Sequence, residues 1–161
     1  MRLVVADTSP IFYLLSTGQI ELLPSLFTTV FVPDAVHKEL CHPAAPPILR
    51  AWIAERPSWL NIMPVDLMDA RHCKPLGAGE RAAITPALSI HADLILIDER
   101  KGTSVAISKG FTVNGTLGIL RLAAQRGLID LAATIAKLRL TNFRYLQEML
   151  DDMLNEFPAN A

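Results

Sequence analysis

The sequence has few of the features that mark secreted, membrane-spanning or disulfide-stabilised proteins. Its 161 residues include only two cysteines, Cys41 and Cys73, which favours a reducing cytoplasm over a disulfide framework. No apolar run approaches the roughly 18 residues of a membrane span. No basic segment followed by a long apolar stretch indicates a secretory signal. The formal net charge of −1 neither requires nor excludes nucleic acid as a partner.

What the sequence does contain is a hydrophobic chain of one domain's length. Hydrophobic residues make up 51% of it, which is enough for a sizeable core. Short apolar runs, clearest at 3–6 and within the predicted strand 93–98, alternate with amphipathic helical patterns. This alternation predicts an α/β fold whose parallel strands are joined by right-handed crossovers. Two further amphipathic helices are predicted at 128–140 and 143–157.

The first apolar run leads straight into an aspartate. Ser9 is suited to cap a following helix, and Pro10 to occupy its first position. Asp7 is therefore predicted at the carboxyl end of a central strand, where open α/β sheets bind their ligands. Asp98 ends a second predicted strand. Because parallel strands share one direction, both aspartates are expected at the same edge of the sheet.

Two glutamates on predicted helices point to the same region. Glu39 stands three residues after Val36, so it is predicted to share the inward face of its helix. An acid on a buried face is a local conflict of the kind that often marks function. Glu80 falls in the first turn of a predicted helix that begins at Gly77, where the helix dipole favours an anion.

Four converging carboxylates would need a cation or protonation. Two such charges about 4 Å apart repel by roughly 4 kcal/mol at an effective dielectric constant near 20. A site of oxygen ligands favours Mg²⁺ or Mn²⁺ over zinc, and neighbouring hydroxyls at Thr8 and Ser9 are suited to orient Asp7. Each acid taken alone also has an ordinary structural explanation: helix capping for Asp7 and Asp98, a first-turn charge for Glu80, and a salt-bridged surface position for Glu39.

Five short segments carry a resemblance to a known family. They are ADTSP at 6–10, VPDAVHKEL at 32–40, GAGERAAI at 77–84, LILIDERKG at 94–102 and NGTLGILRLA at 114–123. In this order the chain resembles PIN-domain proteins, in particular a PIN-like family of unknown function related to VapC-type toxin ribonucleases. The resemblance implies a three-layer α/β/α fold with a central parallel sheet of four to five strands over residues 1–128. Residues 129–161 are then expected to form a helical extension packed on the same domain.

The resemblance also implies an activity. It predicts a ribonuclease, the toxin of a toxin–antitoxin pair, that hydrolyses RNA with water activated on a carboxylate-bound Mg²⁺ or Mn²⁺ and leaves 5′-phosphate ends. The implied partners are RNA, a cognate antitoxin and a second copy of the chain. Arg81, Arg100 and Lys101 are candidates for steering phosphates, although ordinary solvated charges explain them equally well. The implied metal-binding and catalytic residues are Asp7, Glu39, Glu80 and Asp98, with Glu99 as an extra acid and Thr8 and Ser9 in support.

Other interpretations remain open at this point. The main alternative is a catalytically inactive PIN-like module that binds a protein. GAGERA at 77–82 fits a loose dinucleotide-binding fingerprint but follows no convincing strand. Phosphatases with an aspartyl nucleophile carry a second aspartate where Ser9 stands. The adjacent pairs at 41–42 and 72–73 are poor zinc ligands because neighbouring side chains point in different directions.

Overall fold

The computed structural model describes residues 2–63, 92–98, 100–108, 110–144 and 147–157. Its centre is a five-stranded sheet in which every pairing is parallel. The strands lie in the order β3-β2-β1-β4-β5, so the first strand of the chain is central, as the sequence predicts. Their bounds are β1 Leu3–Ala6, β2 Thr29–Pro33, β3 Leu60–Met63, β4 Leu94–Leu96 and β5 Val113–Asn114.

Eight helices surround this sheet within the described residues. Gly18 and Gly127 adopt positive φ angles of 74° and 68° just beyond two of them, a conformation that glycine adopts without strain. No helix in the described ranges is both long and apolar enough to cross a membrane. The helices are α1 Thr8–Ser16, α2 Leu22–Leu26, α3 Asp34–Cys41, α4 Pro47–Ala54, α5 Arg100–Ser108, α6 Thr116–Gln125, α7 Leu131–Leu138 and α8 Gln147–Glu156.

The two faces of the sheet bury different partners. Alternation along β1 sends Val4 and Ala6 into a large cluster with the apolar sides of α1 to α4 and α6 to α8. Val5 points to the other face, where it packs with Ile95 and with Ala106 of α5. Helices on both faces of a parallel sheet make the three-layer arrangement that the sequence predicts.

Helix ends are where the sequence-based predictions needed correction. Ser9 does not cap the first helix, because α1 already begins at Thr8 and Asp7 occupies the N-cap position. Pro10 is still tolerated, since the first four N–H groups of a helix have no partner within it. Within the predicted helix 143–157, the structure shows Gln147–Glu156 as helix and Phe143 and Arg144 as non-helical.

The C-terminal helices pack on the same core as the sheet. Leu131, Ile135 and Leu138 of α7 are buried, and so are Leu150 and Met153 of α8. The predicted helix 128–140 was too long, since α7 spans Leu131–Leu138 and Leu140 beyond it is 88% exposed. The side chain of Asp130 accepts a hydrogen bond from Ala133 N at 3.2 Å, so this cap fixes where the helix begins and which side faces inward.

Candidate active site at the carboxyl edge of the sheet

Asp7 follows the central strand directly. Its backbone N–H donates to the carbonyl oxygen of Leu96 at 3.0 Å, which extends the pairing of β1 with β4 by one residue. Asp7 is only 8% exposed. Although it stands at the N-cap position of α1, its side chain makes no capping hydrogen bond to that helix. Local helix capping therefore does not account for the carboxylate at this position.

Glu39 reaches this edge of the sheet from α3. It accepts a hydrogen bond at 2.5 Å from the hydroxyl of Thr8, the residue after Asp7. This length is at the short end of the range for a hydroxyl bound to a carboxylate. The prediction that Glu39 lies on a buried face was wrong, because the residue is exposed whereas Val36 is fully buried. The Thr8 hydroxyl thus orients Glu39, whereas the sequence suggested that it would orient Asp7.

Asp98 lies two residues beyond the end of β4, the strand that pairs with β1. Its carboxylate accepts hydrogen bonds from the backbone N–H of Thr116 at 2.6 Å and from the Thr116 hydroxyl at 2.7 Å. Thr116 is the first residue of α6 and is fully buried. Asp98 therefore caps a helix that begins 18 residues later in the chain, a contact that fixes both carboxylate oxygens.

Gly115 makes this contact sterically feasible. A Cβ atom built on Gly115 would lie 2.6 Å from Oδ1 of Asp98 and 3.4 Å from the carbonyl oxygen of Ile97. The φ angle of Gly115 is −103°, which any residue adopts, so steric space is the constraint at this position. The missing side chain allows the aspartate to approach the start of α6 closely.

An open cleft of about 590 Å³ adjoins Asp98. This volume lies within the range of about 300–1,000 Å³ that is typical of small-ligand sites. Polar groups of Asp98, Thr103 and Asn114 share the lining with apolar and cationic side chains from the end of the chain. Those C-terminal residues are Phe143, Arg144 and Met149.

Burial and charge shift two ionisable groups at this edge. Burial raises the pKa of the Asp98 carboxyl group, although the two hydrogen bonds from Thr116 lower it. An anion at a helix N-terminus gains about 0.3–1 kcal/mol, so the loss of solvation outweighs a favourable helix dipole here. Burial also raises the pKa of the Tyr13 hydroxyl. The negative charge of Asp98 adds to this increase, and the positive charge of Arg144 opposes it.

Several predicted site residues lie outside the described part of the chain. These are Glu80, Arg81 and Glu99, together with the side chains of Arg100 and Lys101 in α5. Ser9 is described and exposed. Of the four predicted metal ligands, the structure thus describes three, and it places Asp7 and Asp98 at the carboxyl ends of adjacent strands.

The described donors match a hard divalent cation in their chemistry. Asp7, Glu39 and Asp98 all offer carboxylate oxygens, the ligands that Mg²⁺ and Mn²⁺ prefer. Across the described ranges, no three histidine, cysteine or acidic side chains group closely enough to hold a metal ion. The donor type is the one that these ions prefer, but the described acids do not by themselves form a binding group.

Three residues of this edge were not identified as functional from the sequence. Thr116 and Gly115 stand in the segment NGTLGILRLA, which carried the resemblance but received no role. The charge of Asp98 raises the pKa of Tyr13 although 85 positions separate the two residues in the chain. The only available signal was the clustering of glycine and hydroxyl residues just after a short strand.

The contact between Thr8 and Glu39 leads to a testable prediction. Replacing Thr8 by valine keeps the shape of the side chain but removes the hydroxyl that holds Glu39. Loss of such an orienting partner costs about 10- to 100-fold in metal affinity or activity, and we expect a decrease in that range. Manganese titration followed by calorimetry measures it. Ser25, which is exposed on α2 and has no role in the predicted site, provides the control: Ser25→Ala should leave the affinity unchanged, and an equal loss in both variants would contradict the role of Thr8.

The fold and this edge together define a class of protein. It is an α/β domain with an all-parallel sheet and aspartates at the carboxyl ends of two adjacent strands, β1 and β4. Over residues 3–158 the sequence matches a protein-family model described as a PIN domain. The chain belongs to the PIN-domain family, whose fold is of the nuclease type. Neither the curated proteins nor the solved structures contain a significant match to it.

Proposed function

We propose that this protein is a divalent-metal-dependent endoribonuclease of the PIN type that acts as the toxin of a toxin–antitoxin pair. PIN domains are generally nucleases, and the family match supports that class of activity. The observation that carries the proposal for this chain is the position of Asp7 and Asp98. Both residues follow the carboxyl ends of the adjacent strands β1 and β4, and Asp98 lines an open cleft.

The described residues have distinct parts in the proposed site. Asp7 and Asp98 would bind the cation from the sheet, and Glu39 would bind it from α3. Thr8 holds Glu39, and Thr116 holds Asp98, so two of the three carboxylates are already oriented by hydroxyl groups. Hydrogen bonds of this kind orient ligand carboxylates, although the described acids do not by themselves group closely enough to hold an ion. We further propose Glu80 as the fourth ligand and Glu99 as an additional acid.

A bound Mg²⁺ or Mn²⁺ would supply Lewis-acid chemistry, which lowers the pKa of a water molecule and offsets negative charge on the phosphate. The side chains of the protein provide the remaining functions. Their carboxylates fix the position of the site at the edge of a rigid sheet, and the adjoining cleft accepts the RNA chain. Arg81, Arg100 and Lys101 are proposed to attract phosphates toward this edge.

The proposal is tested by RNA cleavage together with metal binding. Wild-type protein should cut a structured RNA in the presence of Mn²⁺ and lose that activity with a chelator. Asp7→Asn should lower the rate by about a hundredfold or more, because a ligand charge is lost. Mn²⁺ should also raise the melting temperature of the wild type, since an ion at 100 times its Kd stabilises the native state by about 2.7 kcal/mol. Equal cleavage by the wild type and Asp7→Asn would overturn the mechanism.

One observation favours the second candidate, an inactive protein-binding module. Both oxygens of Asp98 already accept hydrogen bonds from Thr116, so the residue has a structural task without any metal. The manganese titration separates the two functions. An inactive module should show the same melting temperature with and without Mn²⁺, whereas the nuclease should be stabilised by it.

The proposed partners rest on the family resemblance. We infer that the chain forms a homodimer and that a cognate antitoxin inhibits it. The C-terminal helices, packed on the same core as the sheet, provide surface for one of these contacts.

A further inference from the structure

The cleft beside Asp98 also contains a cation, which comes from the far end of the chain. Arg144 lines this cleft together with Asp98, Phe143 and Met149. The residue is exposed, and no ion pair joins it to another described residue. Asp98 takes its hydrogen bonds from Thr116 instead. A carboxylate and a guanidinium thus line one cleft without neutralising each other.

Contacts with α1 hold the segment that carries this arginine. The Tyr13 hydroxyl donates to Oδ1 of Asn142 at 2.9 Å. The Tyr13 ring also packs edge-on against Phe143, with 4.8 Å between the ring centroids and an interplanar angle of 75°. Asn142 and Phe143, the two residues before Arg144, therefore both contact α1. This docking places an arginine that belongs to no helix in the wall of the cleft that Asp98 also lines.

The chemistry of the cleft fits a nucleotide of a single-stranded RNA. A guanidinium is always charged and binds phosphate oxygens through two parallel N–H donors. Leu117, Phe143 and Met149 offer an apolar wall for a ribose or a base. An anion next to Asp98 is repelled unless a cation intervenes, so a phosphate that enters here is drawn toward Arg144.

We propose that Arg144 binds a substrate phosphate adjacent to the one that is cleaved, and that Tyr13 is a positioning residue that holds Arg144 there. This inference rests on the proposed function, because it assigns the substrate of the same site. It adds a phosphate contact from the C-terminal segment to the contacts expected from Arg81, Arg100 and Lys101.

Binding to a non-cleaving variant tests the proposal. A fluorescent, mixed-sequence single-stranded RNA is titrated into Asp98→Asn, Asp98→Asn/Arg144→Gln and Asp98→Asn/Arg139→Gln. Arg139 is also an exposed arginine near the end of the chain, and it does not line the cleft, so it controls for net charge. Loss of Arg144 should weaken binding about tenfold and reduce the slope of log K against log salt by about 0.7. The Arg139 variant should bind as its parent does.

A separate substitution tests the positioning role of Tyr13. Tyr13→Phe keeps the ring against Phe143 and removes the hydrogen bond to Asn142. It should weaken RNA binding by less than Arg144→Gln does, and it should add nothing in a protein that already lacks Arg144. An additive loss in the double variant would overturn the positioning role.

The outcomes distinguish this inference from the proposed function. If wild type cleaves RNA but Arg144→Gln changes neither affinity nor salt slope, the phosphate contact is overturned and the nuclease stands. Equal weakening by the Arg139 and Arg144 substitutions would also overturn it, because net charge would then be the cause. If the wild type cuts no RNA and the Asp98→Asn protein binds none, both proposals fail.

Discussion

Asp98→Asn should lower the rate of RNA cleavage about a thousandfold while leaving the protein folded. The asparagine has the shape of the native side chain. Its oxygen can accept from the Thr116 N–H, and its amide can donate to the Thr116 hydroxyl, so both contacts at the start of α6 are retained. Only the charge that would bind the cation is removed.

The stability of the same variant should depend on pH in a specific direction. Burial raises the pKa of Asp98 in the native state above its value in the unfolded chain. The native protein therefore binds this proton more tightly, a contribution that is complete below the unfolded pKa and is lost as the pH rises through the native pKa. Without metal, the melting temperature of Asp98→Asn relative to wild type should thus increase from acidic to neutral pH. Added Mn²⁺ should raise the melting temperature of the wild type but not that of Asp98→Asn.

Asp93 offers a matched control for this substitution. It lies at the opposite end of the same strand, where its carboxylate accepts from the backbone N–H of Leu3 at 2.8 Å. Asp93→Asn should keep both cleavage and manganese binding. If Asp98→Asn cleaves RNA as fast as Asp93→Asn does, Asp98 is not part of the catalytic site.

Gly115→Ala should damage both the stability of the protein and its cleavage activity. The added methyl group would lie 2.6 Å from Oδ1 of Asp98, closer than a carbon and an oxygen approach without a shift. Forcing extra volume into a packed site typically costs about 1–3 kcal/mol. Displacement of the carboxylate by as little as 1 Å should also lower cleavage about a hundredfold. Chemical denaturation and the cleavage assay measure the two effects separately.

A double-mutant cycle identifies the cause of this loss. In an Asp98→Ala background the carboxylate oxygen is absent, and the nearest remaining atom to the new Cβ is the carbonyl oxygen of Ile97 at 3.4 Å. The destabilisation by Gly115→Ala should therefore be clearly smaller there than in the wild type. An equal cost in both backgrounds would show that the clash with Asp98 is not responsible.

Local sequence patterns were sufficient to locate β1, β4 and the edge of the sheet where Asp7 and Asp98 lie. The run Leu3–Ala6 is uniformly apolar because β1 is buried on both faces, and the aspartate that ends it stands where the chain leaves the sheet. The same reasoning located Asp98 after β4. Strand direction alone then placed both acids at one edge, since every pairing is parallel.

Helix boundaries and faces were less accessible to the sequence. Both Asp7 and Ser9 are residue types that favour an N-cap position, and backbone geometry at the end of β1 decided for Asp7. Periodicity predicted a helix over 128–140, but α7 spans only Leu131–Leu138, with Asp130 capping its start and Ile135 on its buried side. Helical periodicity fixes which residues share a face only after the first residue of the helix is known.

The sequence by itself determined the class of fold and the aspartates at its carboxyl edge. Short apolar runs indicate buried strands, and buried parallel strands all end at the same edge of the sheet. Only the tertiary structure decided what those acids contact. The contacting pairs Thr8 with Glu39, Thr116 with Asp98, and Tyr13 with Asn142 are separated by 31, 18 and 129 positions. Pairings at such distances leave no local periodicity in a single chain. They depend on how α1, α3, α6 and the C-terminal segment meet at one end of the sheet.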